Sequence, residues 1–184
     1  MVIKMLTLLK AEEIKAIYNK YMVKDFPPDE LKPLSSMMDM LSRGIYACYG
    51  FYKGENLLAY AYLTVLDDFV LVDYLAVVPQ HRGSGVGTKL LSELKGILKG
   101  KTIIIECENP DFATDPQDKT TKLRRIEFYK RSGFVLSGVS SRLFNVEYVI
   151  LTFPECKNSA FGLEKLYLQM LGQKVCSEKL IVKS

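Results

Sequence analysis

The chain has 184 residues, 48% of them hydrophobic and 25% charged, with a formal net charge of +4. These values fit one globular domain long enough to bury a core, and they exclude a disordered or low-complexity chain. The positive charges are spread along the chain, which argues against a nucleic-acid surface and only mildly favours a polyanionic ligand.

The four cysteines, Cys48, Cys107, Cys156 and Cys176, form no Cys-x-x-Cys pair, and His81 is the single histidine. That spacing opposes a zinc site or a disulfide framework, so no metal is expected and the thiols are read as reduced. Met1 to Met5 lacks the layout of a secretory signal, and no run of about 18 apolar residues is present. A cytoplasmic protein with no membrane partner is the expectation.

In chain order, Val2 to Thr7 reads as a strand. Ala11 to Tyr21 carries Ile14, Ile17, Tyr18 and Tyr21 on one helical stripe. Phe26-Pro-Pro-Asp-Glu breaks the pattern, because proline lacks the N–H and the conformational freedom for helix or central strand. Leu34 to Leu41 is a second expected helix, ended by Gly44. Ile45 to Tyr52 and Leu57 to Leu66 are strands joined by Lys53-Gly-Glu-Asn. After the Asp67-Asp68 turn, Phe69 to Val78 is apolar almost throughout except at Asp73, as in a central strand covered on both faces. A glycine-rich turn, Pro79 to Gly87, leads into an amphipathic helix, Val86 to Leu98, with Leu90, Leu91, Leu94 and Leu98 inward. Thr102 to Cys107 is a strand and Asn109 to Gln117 a loop. Asp118 to Arg131 is a helix closed by Gly133, followed by Phe134-Val-Leu and a final strand, Val146 to Phe153. Ser159 to Leu171 looks helical, and the tail to Ser184 is left unassigned. The order β, α, α, three meandering strands, then α, β, α, β, β and α gives an α/β fold. Its central sheet is expected to be mixed, mostly antiparallel and flanked by helices. A domain over 1–153 would carry a short C-terminal helical extension, 154–184, packed on it or offering a dimer contact.

Gln80-His-Arg-Gly-Ser-Gly-Val-Gly-Thr88 lies between a strand and a helix. Its glycines let backbone approach a ligand, and free N–H groups at a helix N-terminus attract an anion such as a pyrophosphate. Arg82 would add a charge-assisted contact. A Walker A loop needs a glycine before its lysine, whereas Thr88 precedes Lys89 here. A dinucleotide fingerprint needs Gly-x-Gly-x-x-Gly, whereas the spacing from Gly83 is Gly-x-Gly-x-Gly. A turn that only permits close helix–strand packing is the remaining alternative.

Gln80, Gly83 and Gly85 fit Gln/Arg-x-x-Gly-x-Gly/Ala, and the chain thereby resembles the GNAT N-acetyltransferase superfamily. Leu75-Ala-Val-Val-Pro79 resembles the strand that enters this turn in that family. Arg124-Arg-Ile-Glu-Phe-Tyr-Lys-Arg-Ser-Gly-Phe134 is similar to its later helix, which ends Phe-Tyr-x-x-x-Gly-Phe. The resemblance spans roughly Met1 to Phe153. It implies acetyl-coenzyme A as co-substrate and an amine acceptor. By it, the backbone of Arg82, Gly83, Ser84, Gly85, Val86, Gly87 and Thr88 holds the coenzyme pyrophosphate, with Gln80 in the motif. Leu75, Ala76 and Val77 supply oxyanion donors, and Tyr129 gives the departing thiolate a proton or hydrogen bond. With 11 tyrosines in the chain, a core role for Tyr129 is the alternative. Lys122 and Arg125 stand where many members have Asn and Ala. Lys122, Arg124 and Arg125 either meet coenzyme phosphates or form a solvated helix face, the latter favoured for Lys122 and Arg124. Phe26 to Pro33 and Ile105 to Pro110 resemble a subset of bacterial members with no assigned substrate.

An alkylamine with pKa ~10 must lose a proton to attack a thioester, and a carboxylate is the usual remedy. Glu106 is placed first as base, with Asp73 and Glu108 as the other candidates and Glu30 more remote. Structural roles are the alternative for each. Glu106 and Glu108 flank Cys107 and would face one side of an extended strand. His81, in the phosphate turn, is not expected to act as base. Met37 to Met40 either wall an acceptor groove or fill the core, the commoner use of methionine. The expected protein is thus an N-acetyltransferase, monomeric or homodimeric. A non-catalytic acyl-coenzyme A sensor is the alternative, and a plain nucleotide-phosphate binder a third.

Overall fold

A computed structural model describes residues 4–28 and 30–184. Val2 and Ile3, part of the expected first strand, and Asp29 of the proline-flanked segment lie outside the described residues. The chain divides into two compact units. One takes the chain up to Val65 together with Asp73–Ile97; the other takes Leu66–Val72 and Leu98–Ser184. Strand β4 (Phe69–Val77) contributes its first residues to the second unit and the rest to the first.

In the first unit the strands run β1 (Lys4–Leu8), β2 (Tyr46–Lys53), β3 (Asn56–Leu66), β4. β1 and β2 pair antiparallel from Lys4↔Lys53 to Leu8↔Tyr49, and β2 pairs antiparallel with β3 from Tyr46↔Thr64 to Lys53↔Asn56. The hairpin turn falls at Gly54 and Glu55, as the sequence predicts. Helix α1 (Ala11–Ile17) has Glu12 and Glu13 in its first turn, where carboxylates oppose the positive end of the helix dipole. The chain then widens into a π-helical turn, Tyr18–Met22, and closes with one more turn, Val23–Asp25. It therefore stays helical four residues beyond the expected end at Tyr21, up to the prolines Pro27 and Pro28. Helix α2 (Leu34–Ser42) buries Met37 and Met40, the core use of methionine. Tyr62 lies fully buried in β3, and its hydroxyl donates to the carbonyl of Ile14 at 3.1 Å. Helix α3 (Val86–Ile97) buries Leu90, Leu91 and Leu94 of the predicted inward stripe together with Val86; Leu98, the fourth predicted member, is buried one residue past the helix end.

In the second unit the start of β4 pairs parallel with β5 (Thr102–Glu108), from Phe69↔Thr102 to Leu71↔Ile104. The order continues through β7 (Val146–Phe153), β6 (Val135–Leu143) and β8 (Leu180–Lys183), each neighbour antiparallel. Among the described residues eight strands thus form a mixed, mostly antiparallel sheet. Strand β8 accounts for part of the tail the sequence leaves unassigned. Helix α4 (Pro116–Arg131) starts two residues before the expected Asp118, because Asp115 caps it by accepting from the amides of Gln117 and Asp118, both at 2.8 Å, with Pro116 in the first turn. Helix α5 (Ser159–Lys179) is interrupted at Gly172, one residue past its expected end. Leu163, Leu166 and Tyr167 of α5 pack into one core with Leu71, Ile104, Val139 and Ile150. The C-terminal segment is therefore part of this unit's core, since removing it would strip cover from β5 and β7.

Candidate functional site

The glycine-rich turn leaves β4 through a short 3-10 turn, Pro79–His81. Gly83 and Gly85 follow with φ of +74° and +76°, a region that costs an L-residue about 1–2 kcal/mol. A Cβ built on either would meet nothing within 4 Å, so the backbone here is open to a ligand. The Gly85 carbonyl accepts from Lys89 N–H at 3.1 Å and begins α3, whose twelve residues point a positive dipole end at the turn. Open amides at a helix start are the donor set a pyrophosphate requires, so these residues fit a coenzyme phosphate.

Arg82 has other partners as well. Its Nε donates to the Val77 carbonyl and its guanidinium pairs with Asp25, both at 3.0 Å. The second oxygen of Asp25 accepts from Tyr60 at 2.7 Å. The arginine thus ties the turn to the end of the first helical segment while most of its side chain stays exposed. Ser84 Oγ donates to the His81 carbonyl and tightens the turn. Gln80 and His81 border a cleft of about 890 Å³, whose other walls include Glu13, Tyr21, Tyr52 and Glu55. The sequence marked none of those four as a site residue, because the first helical segment and the β2–β3 hairpin meet there only through tertiary folding.

On β4, Tyr74 and Ala76 are buried, as is Val78 just past its end, while Asp73, Leu75 and Val77 alternate with them at intermediate exposure. The Asp73 side chain is only 7% exposed and fully engaged: Lys32 Nζ lies 2.5 Å from Oδ1, and Tyr46 donates to Oδ2 at 2.7 Å. Burial first, and then this carboxylate, push the Tyr46 phenol well above its usual range, so it stays a hydrogen-bond donor. Glu30, the remote candidate, contributes its carbonyl, which accepts from the Tyr74 hydroxyl at 2.9 Å.

Glu106, Glu108 and Tyr129 belong to the second unit. Glu106 and Glu108 flank buried Cys107, as strand alternation requires. Their partners differ. Glu106 accepts from Ser141 at 3.0 Å and from the Tyr167 hydroxyl; Glu108 pairs with Arg125 at 3.1 Å and Lys122 at 3.7 Å. Lys122 is 7% exposed and also bonds Asp118 at 2.8 Å. The preference for a solvated Lys122 is corrected: its stem is buried on α4 and its ammonium is neutralised by two carboxylates. Arg124 is exposed, as expected. Tyr167 and Ser141 were not legible as partners of Glu106, since they lie 61 and 35 residues away in sequence.

Tyr129 sits at the end of α4, and the Tyr-x-x-x-Gly-Phe pattern that marks it is a helix stop. The amide of Gly133 donates to Lys130 carbonyl at 2.9 Å and that of Phe134 to Tyr129 carbonyl at 3.1 Å, with Gly133 at φ +87°. These are the two reverse bonds of a Schellman motif. The hydrophobic contact that accompanies it joins the Tyr129 and Phe134 rings, centroids 5.9 Å apart and edge-on. Burial, then Cys107, raise the phenol of Tyr129, with Arg125 partly opposing. It therefore stays protonated at neutral pH and keeps an O–H available to donate. Among the described residues no group of three or more His, Cys, Asp or Glu is placed to hold a metal ion, and no helix is long and apolar enough to cross a membrane.

The acetyltransferase (GNAT) domain family model matches residues 44–136, about half of the chain. YjbC of Bacillus subtilis (strain 168), which carries a provisional acetyltransferase name, is 34% identical over 111 residues, 59% of this chain and 52% of that protein. The chain thus spans about half the length of this curated relative. A solved Bacteroides thetaiotaomicron protein, provisionally named a GNAT-family acetyltransferase, has a TM-score of 0.77 at 22% identity, over 92% of this chain and 99% of its own. A Bacillus subtilis acetyltransferase solved in complex with CoA has a TM-score of 0.55 at 16% identity, covering 82% and 97%. At those identities the two structures establish a shared fold.

Proposed function

Because the chain belongs to the GNAT acetyltransferase family, we propose that it is an acetyl-coenzyme A-dependent N-acetyltransferase. It transfers acetyl to a primary amine of a small molecule or peptide, by direct attack in a ternary complex. The observation that carries this is the turn: two open, positive-φ glycines at the start of a twelve-residue helix, in the position the family motif assigns to the coenzyme phosphates. The CoA-bound structural neighbour supports the same co-substrate.

Bound acetyl-coenzyme A supplies the activated acyl group. The backbone of Arg82 to Thr88 binds its pyrophosphate, and Leu75 to Val77 give N–H groups to the developing oxyanion. Tyr129, held in its protonated form, supplies a hydrogen bond to the leaving sulfur. A carboxylate deprotonates the acceptor ammonium. Of Glu106, Asp73 and Glu108, Asp73 is favoured, because it already carries a primary ammonium at hydrogen-bond distance. Glu106 is held by two hydroxyl donors and Glu108 by two cations, a pattern that suits structural carboxylates equally well.

The test is calorimetry with acetyl-coenzyme A and with ADP, on the wild type and Gly85→Glu, followed by thiol release across a panel of amines. Selective binding, lost in the folded variant, together with amine-dependent thiol release slowed by Tyr129→Phe, is the expected result. Binding without thiol release from any amine would favour the sensor reading. Equal affinity for ADP and the coenzyme would leave only a nucleotide-phosphate binder.

A further inference from the structure

The ammonium seated on Asp73 belongs to the chain itself. Lys32 comes from the proline-flanked segment between α1 and α2, and several contacts fix it there. Its amide donates to the Tyr74 hydroxyl at 2.9 Å, its carbonyl accepts from the Tyr18 hydroxyl at 3.1 Å, and its Nζ lies 5.3 Å from the Tyr74 ring centroid. Phe26 packs edge-on against the same ring, at 4.9 Å. The Lys32 side chain is 24% exposed, so the amine is held yet reachable.

A carboxylate 2.5 Å from a primary ammonium is within proton-transfer distance. Asp73 also stands two residues, about 7 Å along an extended strand, before Leu75. Leu75 opens the segment proposed to cradle the thioester carbonyl. The lysine is therefore arranged as an acceptor amine would be. An ion pair that served stability alone would be a weak use of a buried carboxylate, because desolvation consumes most of its Coulomb gain.

From this geometry we propose that Lys32 is a modification site: the protein acetylates its own Lys32 Nζ from acetyl-coenzyme A, with Asp73 as the base. Asp73 accepts a proton from the ammonium. The freed nitrogen lone pair forms a bond to the thioester carbonyl carbon, the carbon–sulfur bond breaks, and the nitrogen gives up its second proton as the amide forms; the leaving thiolate takes up that proton, and Asp73 returns the first to solvent. The products are an amide at Lys32 and free coenzyme A. Acetylation removes the charge that neutralises Asp73 and frees the carboxylate for an external ammonium. The inference rests on the proposed use of acetyl-coenzyme A.

The experiment incubates the full chain with acetyl-coenzyme A and maps acetyl-lysine by peptide mass spectrometry over time. Lys32 is expected to be modified ahead of exposed lysines such as Lys20 and Lys53, at a rate independent of protein concentration. Asp73→Asn is expected to slow this by about a hundredfold or more, while Lys32→Arg leaves no acetyl at position 32. A second arm labels the coenzyme-free protein with trace acetic anhydride. There Asp73→Asn raises Lys32 labelling, because the amine is no longer held as an ammonium by a carboxylate. Opposite directions in the two arms support a base; a rise in both means an ion pair only and overturns the proposal. Should Asp73→Asn fail to fold, the wild-type comparison decides alone: Lys32 modified no faster than the exposed lysines, with acetyl-coenzyme A shown bound by calorimetry, overturns it. Absence of acetyl-coenzyme A binding removes the functional reading, and the inference falls with it.

Discussion

The phenol of Tyr167, on the C-terminal helix α5, donates a hydrogen bond to the carboxylate of Glu106 on β5. One of the three candidate bases is thus held by a residue beyond the 44–136 span that the family model matches. Tyr167→Phe should destabilise the protein by about 2 kcal/mol, the worth of a hydrogen bond to a charged group. Paired with Glu106→Gln in a denaturant-melt cycle, the two changes should be non-additive. Strict additivity would mean that the bond contributes nothing.

Gly162 of α5 faces Phe69 of β4, and a Cβ at that position would overlap the ring. Gly162→Ala should cost about 1–3 kcal/mol by overpacking. Adding Phe69→Leu should recover part of the loss, seen as a rise in urea midpoint. No recovery would place the strain elsewhere on the helix.

At the coenzyme turn, space and backbone conformation separate folding from binding. Gly83→Leu and Gly85→Leu put side chains into open volume, so each should cost only about 1–2 kcal/mol for the positive φ. Acetyl-coenzyme A binding, read by calorimetry, should fall below detection. Binding retained in a folded variant would remove the pyrophosphate from this turn.

Burial raises Tyr46, Tyr60, Tyr62 and Cys48 above their usual ranges and pushes Tyr74 and Cys107 up to about 12. Groups raised on folding bind protons more tightly in the native state. Their stabilisation is complete below the unfolded values, about 8.5 for thiols and 10 for phenols, and is lost as pH rises through the folded ones. The urea midpoint should hold from neutral pH to about 8.5 and then fall steadily towards about pH 12. A flat profile to that limit would show these groups ionising alike in both states.

The same burial sorts the thiols. Cys48 and Cys107 are buried, while Cys156 and Cys176 are partly exposed. Ellman's reagent at pH 8 should modify Cys156 and Cys176 in the native protein and all four cysteines only after unfolding. Rapid reaction of Cys107 would show that β5 opens locally.

The sequence by itself determined what depends on neighbours along the chain. Whereas the alternating exposure of Asp73, Leu75 and Val77 along β4 came only with the fold, the apolar run of β4, the leucine stripe of α3 and the hairpin at Gly54 follow from hydrophobic patterning and from turn chemistry. So does the Tyr-x-x-x-Gly-Phe end of α4, because a helix stop is built from consecutive residues. The glycine turn was legible for the same reason. Strand β8 was not: its four residues follow α5 directly, and only pairing with β6 makes them a strand. The partners of the carboxylates were decided by tertiary structure alone. Lys32 meets Asp73 across 41 residues and Tyr167 meets Glu106 across 61, separations over which no local pattern carries information. Lys122 shows the limit on a single helix: its face looked solvated in sequence, and folding buried it because Glu108 and Asp118 were both there to neutralise it.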